Sequence, residues 1–358
     1  MCPSLVLYAS GHGFGHATRD AALIEALAAA RDDLRFIVRT PAPRWIFSGL
    51  IGAHVDVEPL ETDTGVAQVD SLRLDEEDTA RRAAAFYAQF DRRADEEAAV
   101  LRRLGAAIVV GDIPPLAFEA GARAGVPSIA LGNFTWDWIY RAYPSFDRIA
   151  PGTIDVISRA YAKATHALRL PLHGGFESMH AVTEDIPFIA RQSRIGRSEA
   201  RRKLGVADGR PVVLPSFGGH GLDLPYGAIA ASCGFTLLTP GTAPAGVRYE
   251  DLVAAADVVV SKPGYGIVSE CVANGAALLY TSRGRFPEYQ VFVEQMPRIL
   301  RCRHLSQEDL RAGRWAEALR ALLDQPGPSG QPRIDGAAVA ARSILDWGMG
   351  VRPPCAPL

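Results

Sequence analysis

The sequence predicts an α/β protein of two domains, each a set of βα units around a parallel sheet. Three observations carry this expectation. At 358 residues the chain is about twice the usual domain length. Short apolar runs alternate with longer amphipathic segments, the pattern of strands joined by crossover helices. The alternation comes in two series, separated by a glycine- and proline-bearing stretch with little periodicity at 171–197.

In the first series, apolar runs at 5–9, 34–38, 106–110, 128–131 and 167–170 are expected strands, and 17–30, 79–104, 116–124 and 154–164 carry helical spacing. In the second, strands are expected at 211–215, 235–238, 257–260, 277–280 and 299–302, with helices at 252–256, 267–274, 289–296 and 307–323. The domain boundaries that follow are 1–170, a linker at 171–197, 198–335, and a C-terminal segment at 336–358. An irregular stretch at 325–332 detaches the last helix, 336–347, which is expected to cross back to the first domain.

Hydrophobic residues at 48% and charged residues at 22% exclude disorder, collagen-like repeats and coiled coil. The 38 basic and 40 acidic residues leave a net charge of −2, so neither nucleic acid nor an anionic membrane is an expected partner. Among the basic residues only Lys163, Lys203 and Lys262 are lysines, a bias that accompanies the abundant alanine and reads as base composition. The five cysteines are scattered without a C-x-x-C pair, so a disulfide framework and a structural zinc site are both disfavoured. No signal peptide is read, and no run approaches the roughly 20 apolar residues of a membrane span. A cytoplasmic protein is therefore expected.

Chemistry is concentrated in glycine loops. Ser10-Gly-His-Gly-Phe-Gly-His-Ala-Thr-Arg19 follows the first strand and opens the first helix. Gly11, Gly13 and Gly15 let the backbone turn tightly and approach a ligand, and the helix start offers N–H groups to an anion or a sugar oxygen. The loop carries His12 and His16 to the carboxyl end of the strand, where ligands of open α/β sheets bind and where a histidine serves as a general base. A turn whose histidines only cap the helix is the plain alternative. The spacing G-x-G-x-G-H and Arg39 at the end of the second strand disfavour NAD, while Arg39 permits NADP. A metal pair lacks a third ligand nearby in sequence. Asp112 ends the strand at 106–110; if that strand neighbours the first, Asp112 orients and stabilises the His16 imidazole. Its alternative role is a turn former before Pro114.

In the second series, Ser216-Phe-Gly-Gly-His-Gly221 places Gly218 and Gly219 after a strand, with backbone N–H groups suited to a diphosphate. Ser261-Lys-Pro-Gly-Tyr-Gly-Ile-Val-Ser-Glu270 is the most specific segment: a buried strand ends in a Pro-Gly-x-Gly turn and a helix begins. That helix start suits phosphate, and Glu270 within it accepts two ribose hydroxyls, unless it is an ordinary solvent-facing residue. Arg283 and Arg285 follow the next strand as candidates to neutralise a diphosphate, and Glu288 with Gln290 as candidates for sugar hydroxyls.

These segments, together with Gly132-Asn-Phe-Thr-Trp-Asp-Trp-Ile-Tyr140, resemble the GT-B glycosyltransferases, among them the peptidoglycan N-acetylglucosaminyltransferase. More narrowly, the sequence resembles the glycosyltransferase-like N-terminal half of plant L-arabinokinases and its stand-alone bacterial relatives. The resemblance implies two Rossmann-like domains with parallel sheets facing across a cleft. It implies transfer of a sugar from a nucleotide diphosphate donor, a UDP-sugar, to a hydroxyl of a small-molecule or glycan acceptor, with inversion. His16 is then the catalytic base and Asp112 its support. Donor binding falls to Gly13, Gly15, Gly218, Gly219, Gly264, Tyr265, Gly266, Ser269, Glu270, Arg283 and Glu288. Acceptor binding falls to His12, Phe134, Trp136 and Asp137. No cofactor is implied, the nucleotide sugar being a co-substrate, and the lack of a D-x-D motif implies metal independence. A nucleotide-sugar epimerase and a non-catalytic sugar-nucleotide-binding protein are the alternatives on the same fold. The kinase half of the plant proteins has no counterpart in these residues, so the reaction does not carry over from their name. The glutamine-rich donor motif is reduced to Glu288 and Gln290.

Overall fold

The computed structural model describes residues 3–348 other than 51, 207–208, 219–221, 233, 240 and 242. The chain divides into two compact units. Residues up to 67, 75–189 and from 335 onward form the first, and 68–74 with 190–334 form the second.

The first unit is built on β1 (Ser4–Ala9), β2 (Arg35–Arg39), β3 (Val55–Glu58), β4 (Ala106–Asp112), β5 (Ser128–Phe134), β6 (His166–Gly174) and β7 (Thr183–Asp185). The strands are parallel in the order β3-β2-β1-β4-β5-β6-β7. Covered on both faces, the central strands read as unbroken apolar runs; every residue of β1 is buried. The edge strands β3 and β7, with sequences VDVE and TED, are short, polar and only partly buried, and so leave no apolar run in the sequence. Strand order reverses between β1 and β4, where Ala9 pairs with Asp112.

α1 (Gly15–Ala30) leaves β1 and packs against the C-terminal helix Gly336–Gly348. That helix buries Ala340, Ala341 and Ile344, and its Trp347 stacks on His166 at 5.1 Å. The helical span at 79–104 is two helices, Glu76–Tyr87 and Phe90–Leu104; Asp75 caps the first by accepting from the Asp78 N–H at 2.8 Å.

The stretch at 171–197 differs from the linker expected there. Its first residues complete β6, and 175–189 fold onto the first unit with Phe176, Met179, Ile186 and Phe188 buried. Gly175 at φ 84° and Phe176 at φ 79° turn the chain through the left-handed region, so its apolar residues follow neither helical nor strand spacing.

The second unit contains β8 (Val212–Pro215), β9 (Thr236–Leu237), β10 (Val258–Ser261), β11 (Ala277–Tyr280) and β12 (Cys302–His304), parallel in the order β12-β11-β10-β8-β9. Val213, Val258, Val260, Leu279 and Trp315 form its core, joined by Leu72 from the excursion at 68–74. The last strand starts at Cys302 instead of 299. The helical span at 307–323 breaks into Gln307–Ala312 and Ala316–Leu323, because Gly313 at φ 71° closes the first in a left-handed cap. Among the described residues no helix is long and apolar enough to cross a membrane.

Candidate active site

In the first unit the loop after β1 delivers two residues of α1 to the end of β4. Gly13 takes φ 75°, and Gly11 lies so close to Pro41 that a Cβ there would sit 2.3 Å from the Pro41 Cγ. The tight turn starts α1 at Gly15, which puts His16 and Arg19, one helical turn apart, against the reversal point of the sheet, the ordinary ligand position of open α/β folds. His16 Nδ1 lies 2.7 Å from Asp112 Oδ1. Arg19 donates from Nε to Asp112 Oδ2 at 2.7 Å, from Nη2 to Oδ1, and from Nη1 to Asn133 Oδ1 at 3.2 Å. Burial opposes the charge on Asp112, but Arg19 and then His16 outweigh it and hold the carboxyl well below the usual carboxylate range. An ionised Asp112 accepts the Nδ1 proton, which makes Nε2 the basic nitrogen of the neutral imidazole.

A second carboxylate stands beside this pair. Asp63, in the chain after β3, accepts from Ser10 Oγ at 3.0 Å and from Trp136 Nε1 at 2.8 Å. Burial pushes its carboxyl up to about 6, against the pull of Ser10, His16 and Trp136. His12, half-buried, accepts from the Val66 N–H at 3.2 Å and meets the Trp136 ring edge-on at 5.4 Å. Phe134 meets His16 edge-on at 5.6 Å. Trp136 is fully buried and stacks on Tyr140, and Asp137 accepts from Ser158 at 2.8 Å and Ser178 at 3.3 Å. His12 and Phe134 therefore border the His16 loop, whereas Trp136 and Asp137 lie in the interior with their polar atoms on protein partners.

In the second unit the strand order reverses between β10 and β8, where Val260 pairs with Pro215. The Ser261 hydroxyl donates to the Ser216 carbonyl and ties the two glycine loops together. Gly218 is exposed at φ 74°; Gly219 lies outside the described residues. Gly264 is the N-cap of the helix Tyr265–Asn274 and, being a glycine, brings no side chain to the helix start, the kind of position where anions bind. A Cβ on Gly264 would lie 4.0 Å from Arg283 Nη1, which brings that guanidinium to the helix start. Arg283 also stacks on Phe286 at 3.8 Å and donates to Glu288 at 3.2 Å. Burial and the neighbouring Arg283 pull the Lys262 ammonium down to about 8, with Asp70 opposing. Arg285 is exposed.

Tyr265, Ser269, Glu270 and Glu288 are buried. The Ser269 hydroxyl donates to the Gly266 carbonyl at 3.0 Å. Glu270 accepts from Arg191 Nε at 2.7 Å, and Arg191 lies over the Tyr249 ring at 5.2 Å. Burial pushes Glu270 up while Arg191 pulls it down. Glu270 is thus an interior ion-pair member and not the solvent-facing residue of the alternative reading. Among the described residues no three His, Cys, Asp or Glu side chains gather as a metal site.

Sequence reasoning missed Arg19, Asp63, Lys262 and Arg191. Arg19 carried a signal, one helical turn beyond His16, and so did Lys262, a rare lysine inside the most specific loop. Asp63 and Arg191 carried none, since only the folding of distant segments gives them partners.

No family model matches the sequence. Two parallel sheets of seven and five strands with these loops define the class: the chain has the GT-B fold. It is similar to the L-arabinokinase of Arabidopsis thaliana, with 30% identity over 372 residues, 96% of this chain and 34% of that protein. The chain thus spans about a third of that relative's length. Among solved structures it resembles the calicheamicin glycosyltransferase CalG4, at TM-score 0.65 and 16% identity over 99% of this chain and all of that one. It also resembles UGT2 of Phytolacca americana, solved with UDP-2-fluoroglucose and pterostilbene, at TM-score 0.57 and 14% identity over 96% and 94% of the two chains. MurG of Acinetobacter baumannii is similar at TM-score 0.53 and 12% identity over 96% and 99%.

Proposed function

We propose that this protein is a glycosyltransferase that moves a sugar from a UDP-sugar to an acceptor hydroxyl with inversion, His16 acting as general base. The observation that carries the reading is the His16–Asp112 pair at the β1/β4 reversal of a GT-B fold. His16 Nε2 takes the acceptor's hydroxyl proton as the acceptor oxygen bonds to the anomeric carbon and the bond to the leaving diphosphate breaks. Asp112 holds the imidazole in the required tautomer and stabilises the imidazolium. The departing diphosphate is matched by the positive end of the helix that starts after Gly264, with Lys262 and Arg283 beside it. Those groups stand in for the cation that a D-x-D motif would bind, so metal-independent turnover belongs to the reading.

The test begins with a thermal-shift screen of nucleoside diphosphate sugars, because a donor that binds the folded state raises the melting point. Release of the diphosphate is then measured with candidate acceptors. His16→Ala is expected to keep the donor-induced shift and lose release. An isomeric nucleotide sugar formed without any acceptor would replace the reading with an epimerase, and undiminished release in His16→Ala would remove His16 as the base.

A further inference from the structure

Asp20 follows Arg19 on α1 and lies one helical turn beyond His16. Its side chain is 0% exposed, and among the described residues neither carboxyl oxygen receives a hydrogen bond. An ionised carboxylate cannot be kept there without donors. Its charged neighbours are Asp112 from β4, within hydrogen-bonding reach, and Arg19. Arg19 turns its Nε and Nη2 donors to Asp112, where they join the His16 contact. Two carboxyls in contact do not both ionise, and the proton stays on the one without cationic donors. We propose that Asp20 is the protonated partner of Asp112, donating its O–H to that carboxylate and acting as a positioning residue for the His16–Asp112 pair.

The balance of forces on Asp20 agrees: burial first, then Asp112, raise its carboxyl well above the ordinary value, against Arg19. With the Asp20 hydrogen bond, Asp112 receives one donor from His16, two from Arg19 and one from Asp20, which fills a carboxylate's roughly four acceptor positions. The carboxylate is then locked in rotation, and the imidazole meets an acceptor that does not move. This catalytic consequence rests on the reading of His16 as a base; the protonation of Asp20 does not.

The test uses the full chain and two readouts that need no turnover. An infrared C=O band of a protonated carboxyl is expected to persist at about pH 8 in the wild type, to shift with carbon-13 aspartate, and to vanish in Asp20→Asn. Its absence from the wild-type-minus-Asp20→Asn difference spectrum would overturn the proposal. The imidazole titration of His16, followed by NMR, is the second readout. Asp20→Asn conserves a neutral N–H donor and is expected to leave the midpoint within about 0.3 pH unit. Asp20→Leu removes the donor, concentrates the Asp112 charge on His16, and is expected to raise the midpoint by about half a unit or more. A midpoint lowered by about one unit in Asp20→Asn would mean that Asp20 is ionised, and identical midpoints in the two variants would mean that it does not touch Asp112. If Asp20→Leu does not fold, the infrared band and the Asp20→Asn titration still decide. Failure to find any donor or acceptor would count against the transferase reading and leave these results intact.

Discussion

Asp63→Asn is expected to reverse its effect on stability between pH 4 and pH 7. Buried Asp63 is pushed up to about 6 from an ordinary value of 3.8. A rise of that size corresponds to about 3 kcal/mol, at about 1.4 kcal/mol per pH unit. The folded protein holds this proton more tightly than the unfolded chain. Its contribution is therefore greatest below the unfolded value and declines as pH rises, until it levels off above about 6. Asparagine removes that pH-dependent cost. Its carbonyl still accepts from Trp136 Nε1, and its amide donates to a Ser10 hydroxyl with reversed roles, for a loss of about 1 kcal/mol. The variant should thus be less stable by about 0.5 kcal/mol near pH 4, where part of the cost is already present, and more stable by about 2 kcal/mol near pH 7. In a unit of this size the gain at pH 7 is a rise of about 4–8 °C in Tm. Calorimetry of both proteins across that range reads the crossover. A difference between them that is the same at every pH would refute the claim that burial raises Asp63.

Other consequences are as direct. Asp112→Asn replaces the charged hydrogen bonds that Asp112 accepts from Arg19 with neutral ones, leaves Asp20 as the carboxyl that supplies the counter-charge, and should cost about 1.5–3 kcal/mol in urea unfolding; an unchanged stability would mean that the Arg19–Asp112 contact contributes nothing. Lys262→Met should weaken binding of a nucleoside diphosphate about 10- to 100-fold by calorimetric titration, the worth of a charged hydrogen bond, and undiminished affinity would take Lys262 out of the phosphate site. Gly336→Ala would bring a Cβ to 2.1 Å from the Pro187 carbonyl oxygen. It should lower stability by about 1–3 kcal/mol while donor binding by the second unit persists.

The sequence by itself determined the parts of this protein that depend on neighbours along the chain. Buried parallel strands must be continuous apolar runs, so β1, β4, β8, β10 and β11 were legible, and the glycines that turn each of the two loops announced where a ligand approaches. β3 and β7 were not legible, because a short, partly exposed edge strand needs no apolar run. The stretch at 171–189 passed for a linker because its buried residues hang on a left-handed turn with no period. Tertiary structure decided the chemistry. His16 and Asp112 are 96 residues apart and meet because strand order, not sequence order, pairs Ala9 with Asp112. Arg19, Asp20 and Asp63 are unremarkable as letters. Their charge states are set by which groups the sheet packs around them and by how little water is left there, and those are properties of the folded interior.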